Sequence, residues 1–477
     1  MPLRRSIAHC ALGVCIAALS ACSPTTTRSG GGAEHDAQAG TPLDAAHRDL
    51  GLPSDGPTSA DADATFDGGL ERYPDAAALD AAALDAAALD AAALDAAALD
   101  AAALDAAALD AAALDAAALD SGGEADPGAP PPGLVVAFGG SSSWGHPPTQ
   151  GGVALIGGGA EPDEAVEWLL DRAGHGDVVV LRMGDAGGNY VPYFLGLGAS
   201  SVRELSFDPV DGEDEVHGAA LDLIRARANA PYMTQLLQNA ELVFLAGGNQ
   251  TKYYDAWHDT AVSLGISSRG SAPLGGTSAG MQALTRILHT PRGPGDSVLS
   301  SDALRDPYIS VAEISGSRSL ELTAGPFDVP LLRSYVADAH FSERDRLGRV
   351  FVFVARAIQD GLVPAADARA IAVDEGAAVC IDERGLARVF GSTGERSPRT
   401  GRAYQDDAFF FRPRGAPQVC ADDTPLDWPL GVDVMRVPGY RDGRGSVDLG
   451  SWSVAQGTPF FLTVDQGVLS ADIQTPD

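Results

Sequence analysis

Between residues 75 and 120 the chain repeats Ala-Ala-Ala-Leu-Asp nine times without interruption. No other feature limits the fold as much, because this stretch has no face with which to enter a core. A five-residue step turns an α-helix by about 500°, so successive leucines are offset by about 140°. The leucines from Leu79 to Leu119 therefore spiral around a helix and form no apolar stripe for tertiary packing. No lysine or arginine lies among the aspartates, so the opposite-charge pairs that support an isolated helix are missing. The period also misses the near-seven spacing of a coiled coil. Residues 23–74 and 121–133 are rich in Gly, Ser, Thr, Pro, Ala and Asp. They hold too few large apolar side chains to offset the entropy of ordering. Residues 23–133 are thus expected to form a disordered, partly helical tether. They carry −18 of the chain's net charge of −33. Such a polyanion releases no counterions from nucleic acid, which makes nucleic acid an unfavourable partner.

The first 22 residues read as an address. Arg4 and Arg5 precede a mainly apolar run over 7–19, which is too short for an ordinary spanning helix. The run ends in Leu19-Ser20-Ala21-Cys22, which resembles the bacterial lipobox, and Ser23 follows. The resemblance implies that Cys22 is acylated and becomes the first residue of a lipoprotein. With Ser23 it implies a cell-envelope location, at the outer membrane and facing the periplasm or exterior. An ordinary secretory signal cut near Ala21 is the alternative. Removing Cys10, Cys15 and Cys22 from the account leaves Cys380 and Cys420. In an oxidising compartment those two are expected to form a disulfide, the alternative being two buried thiols.

From residue 134 the texture changes. Apolar runs at 153–156, 178–181 and 242–245 alternate with helix-like segments at 163–172, 217–228 and 232–239. Continuous apolar strands separated by helices predict an α/β fold with a doubly wound, mostly parallel sheet. In such sheets chemistry gathers at the carboxyl ends of the strands. Residues 134–390 form the expected catalytic domain. Residues 391–477, with runs such as Phe409-Phe410-Phe411, are expected to be a β-rich extension.

Gly276-Thr277-Ser278-Ala279-Gly280 fits Gly-x-Ser-x-Gly, between an apparent strand end at 272–275 and a helix-like run at 281–288. This is the context of a nucleophile elbow, in which a tight turn pushes the hydroxyl outward. The Ala279 amide, at a helix N-terminus, is then placed to meet an oxyanion. A serine needs a base. After Ser278 only His289 and His340 remain. His289 lies in a polar stretch and reads as a surface residue. His340 follows an apparent strand and precedes Arg344, Arg346 and Arg349, whose guanidinium forks suit a carboxylate. No His-x-His or His-Glu-x-x-His spacing argues for a metal.

Three blocks together resemble the cyanophycinase-like serine peptidases, a family that includes dipeptidases acting on aspartyl peptides. They are the run 244–250 (Phe-Leu-Ala-Gly-Gly-Asn-Gln), the elbow at 275–280, and Asp338-Ala339-His340-Phe341 with the three arginines. The runs at 155–161 and 371–375 also match, so the likeness covers about residues 150–390. It implies a fold like that of class I glutamine amidotransferases and a mechanism that needs no cofactor. It implies Ser278 as nucleophile, His340 as general base, Glu375 as the orienting acid, and the amides of Gly248 and Ala279 as oxyanion hole. Gln250, Asp338, Arg344, Arg346 and Arg349 match the substrate-pocket positions. Two positions depart from the family: Ala339 stands where glutamine is typical, and Asn249 where aspartate is usual. These make a β-aspartyl or other acidic peptide as good a substrate as cyanophycin itself.

Other readings compete. An α/β-hydrolase esterase would take its acid from between Ser278 and His340, for instance Asp328. A glutamine amidotransferase would carry cysteine at position 278. A binding lipoprotein would keep the fold without catalysis. The sequence leaves the oligomeric state open.

Overall fold

The computed structural model describes residues 127–472, apart from 142–148, 185–188, 209–215, 271, 293–297, 314–315 and 392–405. The signal segment, Cys22 and the tether up to residue 126 lie outside the described residues. Strands β1 (Val135–Gly140), β2 (Gly152–Ile156), β3 (Asp177–Arg182), β4 (Ser201–Ser206), β5 (Leu242–Leu245) and β6 (Leu274–Thr277) come first. Between them lie helices α1 (Asp163–Arg172), α2 (Tyr190–Gly196), α3 (Gly218–Ala228), α4 (Pro231–Asn239), α5 (Gln250–Trp257) and α6 (Ala261–Ser267). The order β4-β3-β5-β6-β2 is parallel throughout and forms the centre of a ten-stranded sheet.

The alternate residues of these strands feed two different cores. Val178 and Val180 of β3 pack with Ala165, Leu169 and Leu170 of α1, while Val179 and Leu181 join a cluster with Met233, Leu236 and Leu237 of α4. Both faces are covered, which is why the run is apolar without alternation.

Next come α7 (Ala279–Ala283), β7 (Ile287–His289), α8 (Ser300–Arg305), β8 (Ser310–Glu313), β9 (Gly316–Ser319), β10 (Leu322–Ala324), β11 (Tyr335–Asp338), α9 (Leu347–Gln359), β12 (Arg369–Val373), β13 (Ala377–Asp382) and β14 (Leu386–Gly391). The helix expected over 281–288 stops at Ala283. The Thr285 hydroxyl donates to the carbonyls of Gln282 at 2.8 Å and Ile287 at 3.0 Å, an alternative to helical pairing, and β7 instead pairs with β10 and β11.

The last strands are β15 (Asp407–Pro413), β16 (Val419–Ala421), β17 (Thr424–Pro438), β18 (Gly445–Asp448), β19 (Ser453–Ala455), β20 (Thr458–Asp465) and β21 (Val468–Asp472). They make no sheet of their own. β18 and β19 prolong the first sheet beyond β13 and β14, whereas β15, β17, β20 and β21 prolong a second sheet that begins β10-β7-β11-β12. The main core holds Leu155 and Val379 from one sheet with Ile371 and Phe410 from the other, and α9 covers the second sheet's far face.

The fold is therefore mixed α/β, and the parallel character is confined to two places, the centre of the first sheet and β7-β11-β12 in the second. Elsewhere the pairing is antiparallel, against the expectation of a mostly parallel sheet. At one pair a short connection enforces this: β20 and β21 are joined by Gln466 and Gly467 alone, both at positive φ (48° and 77°), and a two-residue turn of that kind links only antiparallel strands.

The expected disulfide is absent. Cys380, on β13, and Cys420, on β16, are separate buried thiols in different apolar clusters. Each fills the role of a small apolar side chain, which suits free cysteine.

Candidate active site

The carboxyl ends of β2, β5, β6, β11 and β12 converge on Ser278. This serine sits between β6 and α7 at φ 52° and ψ −119°. A non-glycine residue in that region costs about 1–3 kcal/mol and persists only where the surroundings impose it. Here the neighbours are glycines because nothing larger fits. A Cβ on Gly276 would lie 2.6 Å from the Gly280 carbonyl carbon, and one on Gly280 would lie 2.2 Å from the Leu245 carbonyl oxygen. The Ser278 amide donates to the Ile156 carbonyl at 2.9 Å, which ties the elbow to the end of β2.

The Ser278 hydroxyl lies 2.7 Å from His340 Nε2, and His340 Nδ1 lies 2.7 Å from Glu375 Oε1. Three segments that are 62 and 35 residues apart thus form one continuous hydrogen-bonded chain. His340 is itself at φ 47°, held by its amide's bond to the Gly157 carbonyl at 2.9 Å. Gly157 and Gly158 are the seat of this imidazole. A Cβ on Gly158 would stand 2.3 Å from His340 Cε1, and one on Gly157 would stand 2.0 Å from the Asp374 carbonyl oxygen. The Gly157-Gly158-Gly159 run reads from sequence as too short for a phosphate loop, and its spatial role could be found only through the fold.

Burial, and then the charge of Arg344, push the His340 imidazole down to about 4, and the hydrogen bond that Glu375 accepts from it opposes them. At neutral pH the ring is therefore uncharged and able to accept a proton from Ser278. The Gly247-Gly248 turn lies against the serine: a Cβ on Gly247 would fall 3.5 Å from the Ser278 Cβ. Gly248 is at φ 151° and exposed. Ala279 is the first residue of α7, so its amide has no intrahelical acceptor.

The pocket residues taken from the resemblance divide. Gln250 and Arg344 are half-buried, at the start of α5 and four residues after His340. Arg344 forms no side-chain hydrogen bond or ion pair among the described residues, and its Nε is buried without a partner. Asp338, Arg346 and Arg349 instead face inward. Asp338 is fully buried and receives Arg349 through both carboxylate oxygens (Nε to Oδ2 at 3.0 Å, Nη2 to Oδ1 at 2.6 Å), Arg346 at 3.0 Å and the Gln282 amide at 2.8 Å. Burial raises the Asp338 carboxyl, but Arg349 and Arg346 outweigh it and hold the group below the usual carboxylate range. These three form a buried network, against the expectation that they line a substrate pocket. Gln282, part of that network, went unnoticed in the sequence, as did Glu343, whose carboxylate accepts from the Glu375 amide at 3.2 Å.

The remaining expectations also change. His289 is not at the surface. It is buried on β7, Nε2 lies 3.2 Å from the Ser319 carbonyl, and burial, with Arg349 next, pushes its imidazole down to about 3. Asn249 caps α5, its Oδ1 accepting from the amides of Thr251 at 2.8 Å and Lys252 at 3.4 Å. Asparagine and aspartate cap equally well, so this departure from the family pattern costs no capping. Ala339 is fully buried in the main core. Asp328 is held by Arg333 through two bonds of 2.6 and 2.7 Å, which removes it as the acid of an esterase triad.

No protein-family model matches the chain, and no curated protein matches it. Among solved structures, it is similar to the crystal structure of a peptidase from an acI-B1 Actinobacterium. The two share 17% identity at a TM-score of 0.32, over 52% of this chain and 89% of that one.

Proposed function

We propose that this chain is a serine-type peptidase, acting through an acyl-enzyme on β-aspartyl or related acidic peptide bonds, as the cyanophycinase-like peptidases do. The observation that carries the reading is the chain of two 2.7 Å contacts from Ser278 through His340 to Glu375, built on a strained elbow. Ser278 Oγ attacks the scissile carbonyl carbon while His340 Nε2 takes its proton. The developing oxyanion faces the amides of Gly248 and Ala279. Glu375, bonded at Nδ1, fixes the tautomer and stabilises the imidazolium. Collapse of the tetrahedral intermediate breaks the C–N bond, and His340 returns the proton to the departing amine. Water then enters, gives a proton to His340, and releases the acid by the same path.

Acidic specificity rests on Arg344. A half-buried guanidinium with no hydrogen-bond or ion-pair partner among the described residues, beside the nucleophile's base, suits a substrate carboxylate. The test is digestion of cyanophycin and a panel of β-aspartyl dipeptides, together with labelling by a fluorophosphonate. Ser278→Ala abolishes both cleavage and labelling if the reading holds. Cleavage surviving in Ser278→Ala defeats the mechanism, and ligand binding without cleavage or labelling favours the binding lipoprotein.

We further propose, from the lipobox-like tetrad alone, that Cys22 is acylated and anchors the enzyme to the cell envelope. Two or three acyl chains hold far better than one, at about 0.8 kcal/mol per buried methylene. Cys22→Ser should release the protein from membranes, and continued acyl anchorage in that variant would exclude the site.

A further inference from the structure

At the end of β12 remote from Glu375, a cavity of about 330 Å³ opens over the outer strands of the second sheet. Arg369 starts β12 and Glu375 follows its end, so at about 3.3 Å per residue the two lie roughly 20 Å apart along the strand. Strand register builds the floor. Arg412 of β15 stands opposite Asp433 of β17, which stands opposite Phe461 of β20, so the three side chains share one face. Trp452, from the turn between β18 and β19, forms a wall.

The charges gathered here run against the rest of the molecule. The chain has 65 acids against 32 bases, yet three guanidiniums collect around this indole and one carboxylate. Arg412 lies 5.0 Å and Arg369 5.6 Å from the Trp452 ring centroid, and Arg414 lies 3.8 Å from that of Phe461. Asp433 is the only acid lining the cavity among the described residues. Arg414 takes most of it, with contacts of 2.7 and 2.9 Å, whereas Arg412 reaches it through one contact of 3.4 Å. The Arg412 side chain remains 39% exposed. Its fork is therefore largely unused. A guanidinium stacked on an aromatic face turns its N–H edge outward in the ring plane, where a planar carboxylate meets two donors at once. A tetrahedral phosphate matches that edge with one oxygen pair and leaves its remaining oxygens against the aromatic walls.

We propose that this cavity is a carboxylate-binding site, filled either by a small free acid or by the acidic side chain of a peptide. The site is separate from the catalytic chain and does not depend on it.

Isothermal titration calorimetry of the full chain with succinate, acetyl-Leu-Asp-amide and inorganic phosphate, at low ionic strength, tests this. Both carboxylates should bind more tightly than phosphate. In an Arg344→Gln background, which removes the catalytic site's own carboxylate contact, Arg412→Gln and Arg414→Gln should each weaken them by about tenfold, and Arg384→Gln, exposed and outside the cavity, should leave them unchanged. Tighter binding of the peptide assigns the site to a peptide side chain, and tighter binding of succinate assigns it to a free acid. Arg414 also pins Asp433. If its variant fails to fold, Arg412→Gln and Arg412→Lys carry the test, with lysine expected to recover part of the affinity through charge alone. Absence of carboxylate binding overturns the proposal. So does phosphate binding of equal strength, affinity indifferent to the Arg412 variants, or affinity lost in Arg384→Gln.

Discussion

Two charged networks meet at residues 338–340 and point opposite ways. Asp338 faces inward, where Arg346, Arg349 and Gln282 use both its oxygens. His340, two residues later, faces the edge where β2, β5 and β6 end, and its ring joins a half-buried hydroxyl to a buried acid. The inner network holds its ionised groups in buried pairs around one carboxylate, and such a set stabilises a position without doing chemistry. The outer one leaves a neutral base against a hydroxyl that substrate can reach. Similar residue types, adjacent in the chain, thus divide into a support and the proposed reaction centre through the direction in which each side chain points.

The comparison breaks most cleanly at the serine. Ser278→Ala should lower kcat by at least about 10⁴-fold, with thermal stability kept or raised because the strained hydroxyl-bearing elbow loses only one contact. Progress curves and a melting curve on the same preparation check both halves. Glu375→Gln keeps the shape but removes the charge that stabilises the imidazolium, and about 10³-fold in kcat should go with it. An unchanged rate would point to a different acid.

On the inner side the expected loss is in stability. Asp338→Ala leaves two buried guanidiniums without their partner, which should cost about 3–5 kcal/mol of unfolding free energy. Denaturant titration measures it, and a loss confined to kcat with stability intact would move Asp338 into the reaction centre. Arg344→Gln should raise KM for acidic peptides by about tenfold, with kcat nearly constant, if its guanidinium binds ground and transition states alike.

The smallest effect sharpens the electrostatic side. The base works only when neutral, and its imidazole titrates near 4, below the ordinary 6.5. The kcat/KM profile should therefore stay flat from neutral pH down to about 5 and fall as pH drops through about 4. In Arg344→Gln the lost positive charge should move the midpoint upward. A profile that already halves near 6.5 would mean that the imidazole is more solvated than its surroundings imply.

Much of this site was legible beforehand. The Gly-x-Ser-x-Gly spacing marked Ser278, elimination among histidines left His340 as the stronger candidate, and the apolar runs located three of the five central parallel strands, β2, β3 and β5. Those signals are local: they depend on period, on turn chemistry and on which residue types occur at all. The substrate-pocket assignments fared differently. Gln250 and Arg344 are half-buried, whereas Arg346 and Arg349, from the same short arginine cluster as Arg344, turn into the interior. Nothing in a run of three arginines says which of them the helix start at Leu347 will bury.

By itself the chain's sequence determined that residues 75–120 offer no packing face, that a glycine-flanked serine follows a strand, and that strands β2, β3 and β5 are buried on both sides. Each follows from the spacing of side chains along a local backbone, whose geometry is the same wherever the segment sits. Only the tertiary structure decided that Gly158 must be glycine to seat the imidazole, that Cys380 and Cys420 stay apart, that His289 is buried, and that the late strands complete both sheets. Those depend on which distant segments arrive at the same place, and that outcome is set by the packing of the whole core.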